Sequence, residues 1–98
     1  MPVKTLPENV IAYKRTPEFT ETTVPDGLLR GHTTKAGVWG NIVVLEGQLL
    51  YRIREPEFEE GLLDCTRAGV VEPTMRHAVE ARGAVRFYVE FNREPEAS

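Results

Sequence analysis

Alternation of apolar and polar residues is the dominant pattern along this 98-residue chain. Between Ala84 and Phe91 every second residue is valine or phenylalanine, which is typical of a strand with one buried face. Gln48 to Arg54 alternates in the same way, whereas Asn41 to Leu45 contains the unbroken apolar run IVVL, as in a strand buried on both faces. Glu46-Gly47 lies between these two segments, and glycine adopts the positive φ that tight hairpin turns require. The pattern therefore predicts a β-hairpin near the middle of the chain and a long strand near its end.

Shorter segments, each near proline, glycine or aspartate, are further strand candidates. They are Val10 to Tyr13, Gly27 to Thr33, Gly61 to Cys65, Gly69 to Glu72 and His77 to Ala81. Prolines at positions 17, 25, 56 and 73 interrupt stretches that would otherwise extend as a helix. The many short strands predict a sandwich or barrel of about eight or more strands, with at most a turn or two of helix. We expect one domain over residues 1–98, with an N-terminal arm at 1–8 and a flexible tail at 92–98.

Composition narrows the possible partners and the location. Apolar residues make up 41% of the chain and charged residues 28%, with a net charge of −3 and no basic stripe, so we expect no nucleic-acid partner. No apolar run is long enough to cross a membrane, and the N-terminal residues lack the apolar core of a signal peptide. Cys65 is the only cysteine, so no internal disulfide can form. These features favour a cytoplasmic protein without a membrane partner.

Two histidines, His32 and His77, are the only imidazole groups in the chain. Neutral imidazole binds divalent metals, and the carboxylate of Glu72 could complete a ligand set with open positions. Zinc, iron or manganese would suit such a set. The alternative is that each histidine is an ordinary surface or hydrogen-bonded residue of a strand, which is the commoner role. The residues alone leave both interpretations open.

Other residues are candidates for a ligand pocket. Trp39, in the segment GVWG, could form the floor of a pocket or pack in the core. Arg86, Tyr88 and Glu90 share one face of the predicted C-terminal strand, which either lines a cavity or faces solvent. Arg30 lies in another predicted strand, where its guanidinium could bind an anion. The candidate pocket residues are therefore Arg30, Trp39, Arg86, Tyr88 and Glu90.

Three segments carry a resemblance to a known family. HTTKAGVWGNIVVLEGQLLYRI, GVVEPTMRHAVE and VRFYVEFNR resemble the TehB/YeaR-like, or tellurite-resistance-protein-B-like, family of small cupin domains. The resemblance extends over residues 5–93. It implies an all-β fold, a single-domain cupin-like β-barrel that is also described as a double-stranded β-helix or jelly roll.

The cupin motifs also imply a metal site. LEGQL resembles the glycine turn of the first motif, and Pro73 with His77 resembles the P-x-x-x-H of the second. His32 lies where a first-motif histidine is expected, but Thr34 occupies the position of the second histidine. The resemblance therefore implies a divalent metal held by His32 and His77, with Glu72 as a substitute third ligand.

The resemblance and the candidate residues lead to two expected functions. The first is a non-catalytic binding or sensing protein of the stress response, in which the mouth of the barrel holds a metal or an oxyanion such as tellurite. The alternative is a metal-dependent enzyme of the cupin type, an oxygenase or isomerase that acts on an unknown small molecule. Methyl transfer is not expected, because the chain lacks a glycine-rich strand-to-helix loop and an alternating βα pattern.

A homodimer is expected in solution. Barrels built from two sheets leave edge strands with unpaired backbone groups, and pairing with a second copy is a common way to cover them. The candidate contacts are the N-terminal arm and the strand from Val85 to Phe91.

Overall fold

The computed structural model describes residues 6, 9–30, 32–33, 35–55, 58–74 and 76–94. Its elements are β1 (Ile11–Arg15), β2 (Phe19–Thr20), α1 (Asp26–Arg30), β3 (His32–Thr33), β4 (Val38–Glu46), β5 (Leu49–Glu55), β6 (Glu59–Leu63), β7 (Gly69–Val71), β8 (Arg76–Ala81) and β9 (Arg86–Arg93). The prediction of a strand-dominated structure with little helix is confirmed for this part of the chain.

The strands form two antiparallel sheets. The five-stranded sheet has the order β1-β9-β4-β7, with β2 also paired to β9, and the four-stranded sheet has the order β3-β8-β5-β6. The chain passes from β4 to β5 and β6 in the other sheet, returns to β7, and crosses again through β8 to β9. Among the described strands the hydrogen-bonded ladder of one sheet does not continue into the other. The two sheets are therefore not closed into a barrel, and the cupin-barrel part of the fold prediction is not confirmed.

The hydrophobic core lies between the two sheets. Strand β9 contributes Phe87 and Val89 and strand β4 contributes Ile42 and Val44, as side chains that alternate with outward-facing ones. Phe87 is fully buried, and its ring packs edge-on against Phe19 at a centroid distance of 5.7 Å. The opposite sheet supplies the other wall of the core, chiefly Leu49, Tyr51, Ile53, Leu63 and Val79.

The run Asn41 to Leu45 departs from its predicted burial on both faces. Ile42 and Val44 are buried, but Val43 and Leu45 are only half-buried. The physical reason is that β4 lies in a sheet that packs against its partner sheet on one side. Val43 and Leu45 therefore lie on the outer side of β4, where no second sheet packs against them.

Helix α1 (Asp26–Arg30) and strand β3 (His32–Thr33) lie where the sequence predicted one strand from Gly27 to Thr33. Helix α1 begins after Pro25, whose carbonyl oxygen accepts a 3.0 Å hydrogen bond from the Leu28 N–H. Leu28 packs against the core. A five-residue helix has no detectable period and gains its stability from such packing, so the pattern could not reveal it.

The predicted termini differ slightly from the structure. Asn92 and Arg93, which the sequence placed in a C-terminal tail, belong to β9, and Asn92 is buried. The arm residues 1–5 and 7–8, and the tail residues 95–98, lie outside the described residues. No helix in the described part is long and apolar enough to span a membrane.

Glu21 links the segment after β2 to the start of the C-terminal strand. Its carboxylate accepts a 3.0 Å hydrogen bond from the Val85 N–H, and this bond to the charged form lowers the pKa of Glu21. A lowered pKa contributes stability above the pKa of the unfolded chain, and this stability is lost as the pH falls through the folded-state value. We therefore expect Glu21→Gln to lower the urea midpoint at neutral pH and to have no effect at about pH 3. An equal destabilisation at both pH values would contradict this assignment.

Candidate functional site

A cavity of about 210 Å³ lies between the sheets. The five-stranded sheet lines it through β4, β7 and β9, the four-stranded sheet through β8, and α1 lies along another side. The lining residues are Thr16, Phe19, Pro25, Gly27, Leu28, Gly40, Val71, His77, Val89 and Phe91. Most of these side chains are apolar, and none carries a permanent charge.

Gly40 lines the cavity at a position where a larger side chain would crowd Val71. A side-chain β-carbon at this position would approach the Val71 β-carbon to 3.2 Å, which is tighter than ordinary contact. Gly40 lies opposite Val71 in the β4–β7 ladder, so glycine allows these two strands to pack closely at the cavity.

His77 is the titratable residue of the lining. It is 3% exposed, and its ring packs against Tyr51 at 6.2 Å with an angle of 65° between the ring planes. The other polar side chain of the lining is that of Thr16, whose hydroxyl donates to the Pro17 carbonyl and accepts from the Val89 N–H. His77 therefore brings an imidazole to an otherwise mainly apolar cavity.

Tyr51 holds the imidazole in place. Its hydroxyl donates a 3.0 Å hydrogen bond to the Val70 carbonyl, which fixes the ring beside His77. Burial raises the pKa of Tyr51 strongly, and the nearby carboxylates of Glu72 and Glu59 raise it further. The phenol therefore stays protonated and keeps this hydrogen bond over the whole range of ordinary pH.

The three predicted metal ligands lie in one region. In the β3–β8 ladder His32 is directly opposite His77, so the backbones of the two histidines are neighbours, as the motif resemblance implied. Glu72 follows β7 and is half-buried. The His32 side chain is not among those described, and of the three residues His77 lines the cavity.

Of the five predicted pocket residues, Trp39, Arg86, Tyr88 and Glu90 are absent from the cavity lining, and the Arg30 side chain is not among those described. Arg30 ends α1. Arg86, Tyr88 and Glu90 alternate along β9 with Phe87, Val89 and Phe91, of which Val89 and Phe91 line the cavity. The period of a strand therefore directs these three residues to the side of the sheet away from the cavity, and Trp39 of β4 is also absent from the lining.

Sequence reasoning missed most of the cavity lining. The inward side of β9 was evident from its alternation, and it gave Val89 and Phe91 as buried residues. The segment from Thr16 to Leu28 carried no comparable signal, because it contains two strand residues and a short helix. Its position across the cavity depends on contacts that are distant in sequence.

A protein-family model described as a TehB-like domain matches residues 14–89. Probable S-adenosyl-L-methionine-dependent methyltransferase TehB of Haemophilus influenzae (strain Rd) is 34% identical over 76 residues, which are 74% of this chain and 27% of that protein. The same protein of strain 10810 is 33% identical over 76 residues, with the same shares. The chain therefore spans about a quarter of the length of the curated relatives that it matches.

Two solved structures have the same fold. A crystal structure of a protein from Escherichia coli (strain K12) superposes with a TM-score of 0.87 and 25% identity, over 96% of this chain and 100% of that chain. The crystal structure of TehB from Haemophilus influenzae gives a TM-score of 0.80 and 27% identity, over 89% of this chain and 32% of that chain.

These findings correct the predicted function and cofactor. The curated relatives are named as probable S-adenosyl-L-methionine-dependent methyltransferases, so the expected cupin-type binding or sensing protein and the alternative metal-dependent enzyme are both wrong. The predicted zinc, iron or manganese ion is wrong as well. Within the described residues no group of three or more His, Cys, Asp or Glu side chains could hold a metal ion.

Proposed function

The chain belongs to the TehB-like family, and we propose that it serves S-adenosylmethionine-dependent methyl transfer as the domain that holds the methyl acceptor. The cavity between the sheets is the observation that carries this proposal. It combines a mainly apolar lining with one imidazole, from His77. Such a combination of apolar walls and a few placed polar groups is typical of small-molecule sites.

The size of the cavity limits the acceptor to a small molecule. An apolar cavity of about 150 Å³ binds benzene, whereas pockets for drug-sized ligands measure roughly 300–1,000 Å³. At about 210 Å³ the cavity suits a compact molecule slightly larger than benzene. The lining contains no lysine or arginine, and an unpaired charge is costly to bury, so we propose a neutral acceptor rather than an oxyanion.

His77 is the residue that we propose contacts the polar end of the acceptor. Its imidazole is buried at the cavity and is oriented by the ring of Tyr51. A hydrogen bond in a buried apolar site would orient a small acceptor that otherwise makes only van der Waals contacts.

The cavity between the sheets is too small for the methyl donor, S-adenosylmethionine. S-adenosylmethionine joins an adenosine to a methionine, and a 210 Å³ cavity has no room for both parts. The described strands pair antiparallel, and α1 has five residues, so this part of the chain offers no βαβ unit for a nucleoside. We assign donor binding to the part of the methyltransferase relatives that this chain does not match.

We also propose that the two sheets form a jelly roll. Without the short β2, eight strands lie in two sheets of four, and the chain changes sheets at every connection between successive strands except the one from β5 to β6. This arrangement supports a jelly roll. A single domain over 1–98 and a cytoplasmic location stay predictions.

A chimera tests the proposal. In the Haemophilus influenzae relative, the matching portion is replaced by this chain, and the KM values for S-adenosylmethionine and for that enzyme's acceptor are measured. Leu28→Trp, which fills the cavity, is expected to raise the acceptor KM at least about tenfold and leave the donor KM unchanged. Leu29→Trp is the matched control, because Leu29 is the next residue of α1 but is exposed. An increase in the donor KM alone, or equal effects of the two variants, would refute the proposal.

A further inference from the structure

Residues 22–29 form a part of the cavity wall that belongs to neither sheet. They lie between β2 and β3 and include most of α1, which packs against β8, the strand of His77. Pro25, Gly27 and Leu28 of this segment line the cavity. We call residues 22–29 the flap.

The other walls of the cavity are fixed by hydrogen bonds. Strand β4 is paired with both β7 and β9, and β8 is paired with both β3 and β5. Phe19 belongs to β2, which pairs with β9, and Thr16 exchanges hydrogen bonds of 2.9 and 3.0 Å with Val89. Movement of any of these walls away from the cavity would therefore break hydrogen bonds to backbone groups, which is costly in a buried region.

The flap is attached to the sheets by apolar contacts. Val24 and Leu28 pack against the core, whereas the other flap residues are exposed. The hydrogen bonds described for the flap end on Thr20, on α1 or on the segment between them, as in the 3.1 Å bond that the Val24 N–H donates to the Thr20 carbonyl. Two half-buried side chains therefore hold the flap, and no described hydrogen bond joins it to a sheet.

The chain on both sides of the flap is anchored. Before the flap, the Glu21 carboxylate accepts a 3.0 Å hydrogen bond from the Val85 N–H. After the flap, β3 pairs with β8, with His32 opposite His77. A segment that is fixed at its two ends and held by few contacts between them can open and return to the same position.

We propose that the flap opens as a unit while both sheets stay intact, and that this opening admits the methyl acceptor to the cavity. Elements with few buried contacts open at a lower free energy than the core, and a helix of five residues such as α1 depends on its packing for stability. His77 is 3% exposed with the flap in place, so movement of α1 away from β8 widens the way to its imidazole. The role as an entrance rests on the proposed function, whereas the opening itself does not.

Hydrogen exchange of the ligand-free chain tests the opening. The Leu28 N–H donates to the Pro25 carbonyl at 3.0 Å, and Ile42 of β4 is paired on both sides. We expect the protection factor of the Leu28 amide to be at least about 100-fold lower than that of the Ile42 amide. Equal protection of the two amides would show that the flap opens only when the whole domain unfolds, and would overturn the proposal.

Val24→Ala tests the role as an entrance. Val24 packs against the core but is not among the lining residues, so this variant loosens the flap and leaves the cavity unchanged. We expect it to speed Leu28 exchange and both the association and the dissociation of benzene about three- to tenfold, measured by nuclear magnetic resonance. The benzene dissociation constant should stay within about twofold, because the flap is closed in both the free and the bound state.

Val44→Ala is the matched control. It removes the same atoms from the core, but Val44 lies in β4, which is held by its ladder with β9. This variant should lower the urea midpoint and leave the benzene rates unchanged. Unchanged benzene rates in Val24→Ala, or equal acceleration by both variants, would overturn the entrance. Absence of benzene binding would refute the proposed function and the entrance with it, and the exchange of Leu28 then decides the opening alone.

Discussion

Replacing Phe87 with alanine is expected to lower the free energy of unfolding by about 3–5 kcal/mol. Phe87 is 0% exposed, it belongs to the core cluster between the sheets, and its ring contacts Phe19. Removal of the ring leaves a cavity that strands from both sheets cannot close, because they are fixed by their hydrogen-bonded ladders. Since domains of this size have a stability of about 5–15 kcal/mol, the variant should lose a large share of the total.

Phe58→Ala removes the same atoms from the surface and is the control. Phe58 is 66% exposed, so its replacement should change the free energy of unfolding by no more than about 0.5 kcal/mol. Urea denaturation followed by circular dichroism measures both variants. If the two variants lost similar stability, Phe87 would not lie at the centre of the core.

Gly47→Ala is expected to be the most damaging change at a turn, with a loss of about 3 kcal/mol or more. Gly47 lies between β4 and β5 with φ at +78°, a conformation that costs other residues roughly 1–2 kcal/mol. A methyl group there would also collide with the Ala84 carbonyl oxygen and come within 3.0 Å of the Val85 α-carbon. Both obstacles are backbone atoms, so neither can move without a shift of the chain that leads into β9.

Gly83→Ala separates the two causes. Gly83 has nearly the same φ, +79°, but a methyl group there would meet nothing within 4 Å. We therefore expect only the conformational cost, about 1–2 kcal/mol, for this control. Equal melting temperatures for the two variants would show that the contact with Ala84 is not the cause of the larger loss.

Local patterns predicted the parts of the fold that depend on neighbouring residues. The alternation in β9 identified Phe87 and Val89 as buried side chains, and Gly47 marked the turn between β4 and β5. The apolar run in β4 did not reveal that Val43 would be on an outer surface, because both sides of the strand carry similar residues. Helix α1 was missed since its few residues are held by contacts with the distant core.

The candidate site was only partly predictable for the same reason. His77 was selected as one of two histidines, and the motif resemblance placed His32 near it, which the β3–β8 register reproduces. The chemistry assigned to the pair was wrong, because a shared motif position fixes where a residue lies and does not fix what it binds. The apolar surroundings of His77 come from α1, β4, β7 and β9, and no local pattern connects these elements.

Ligand binding to the isolated chain tests the central claim most directly. With isotope-labelled methyl groups, nuclear magnetic resonance follows Leu28, Val71 and Val89 of the cavity during separate titrations with benzene and with S-adenosylmethionine. We predict that benzene shifts these methyl signals in a saturable manner and that S-adenosylmethionine shifts none of them at millimolar concentration. Saturable binding of S-adenosylmethionine, or no response of the cavity methyl groups to benzene, would contradict the account.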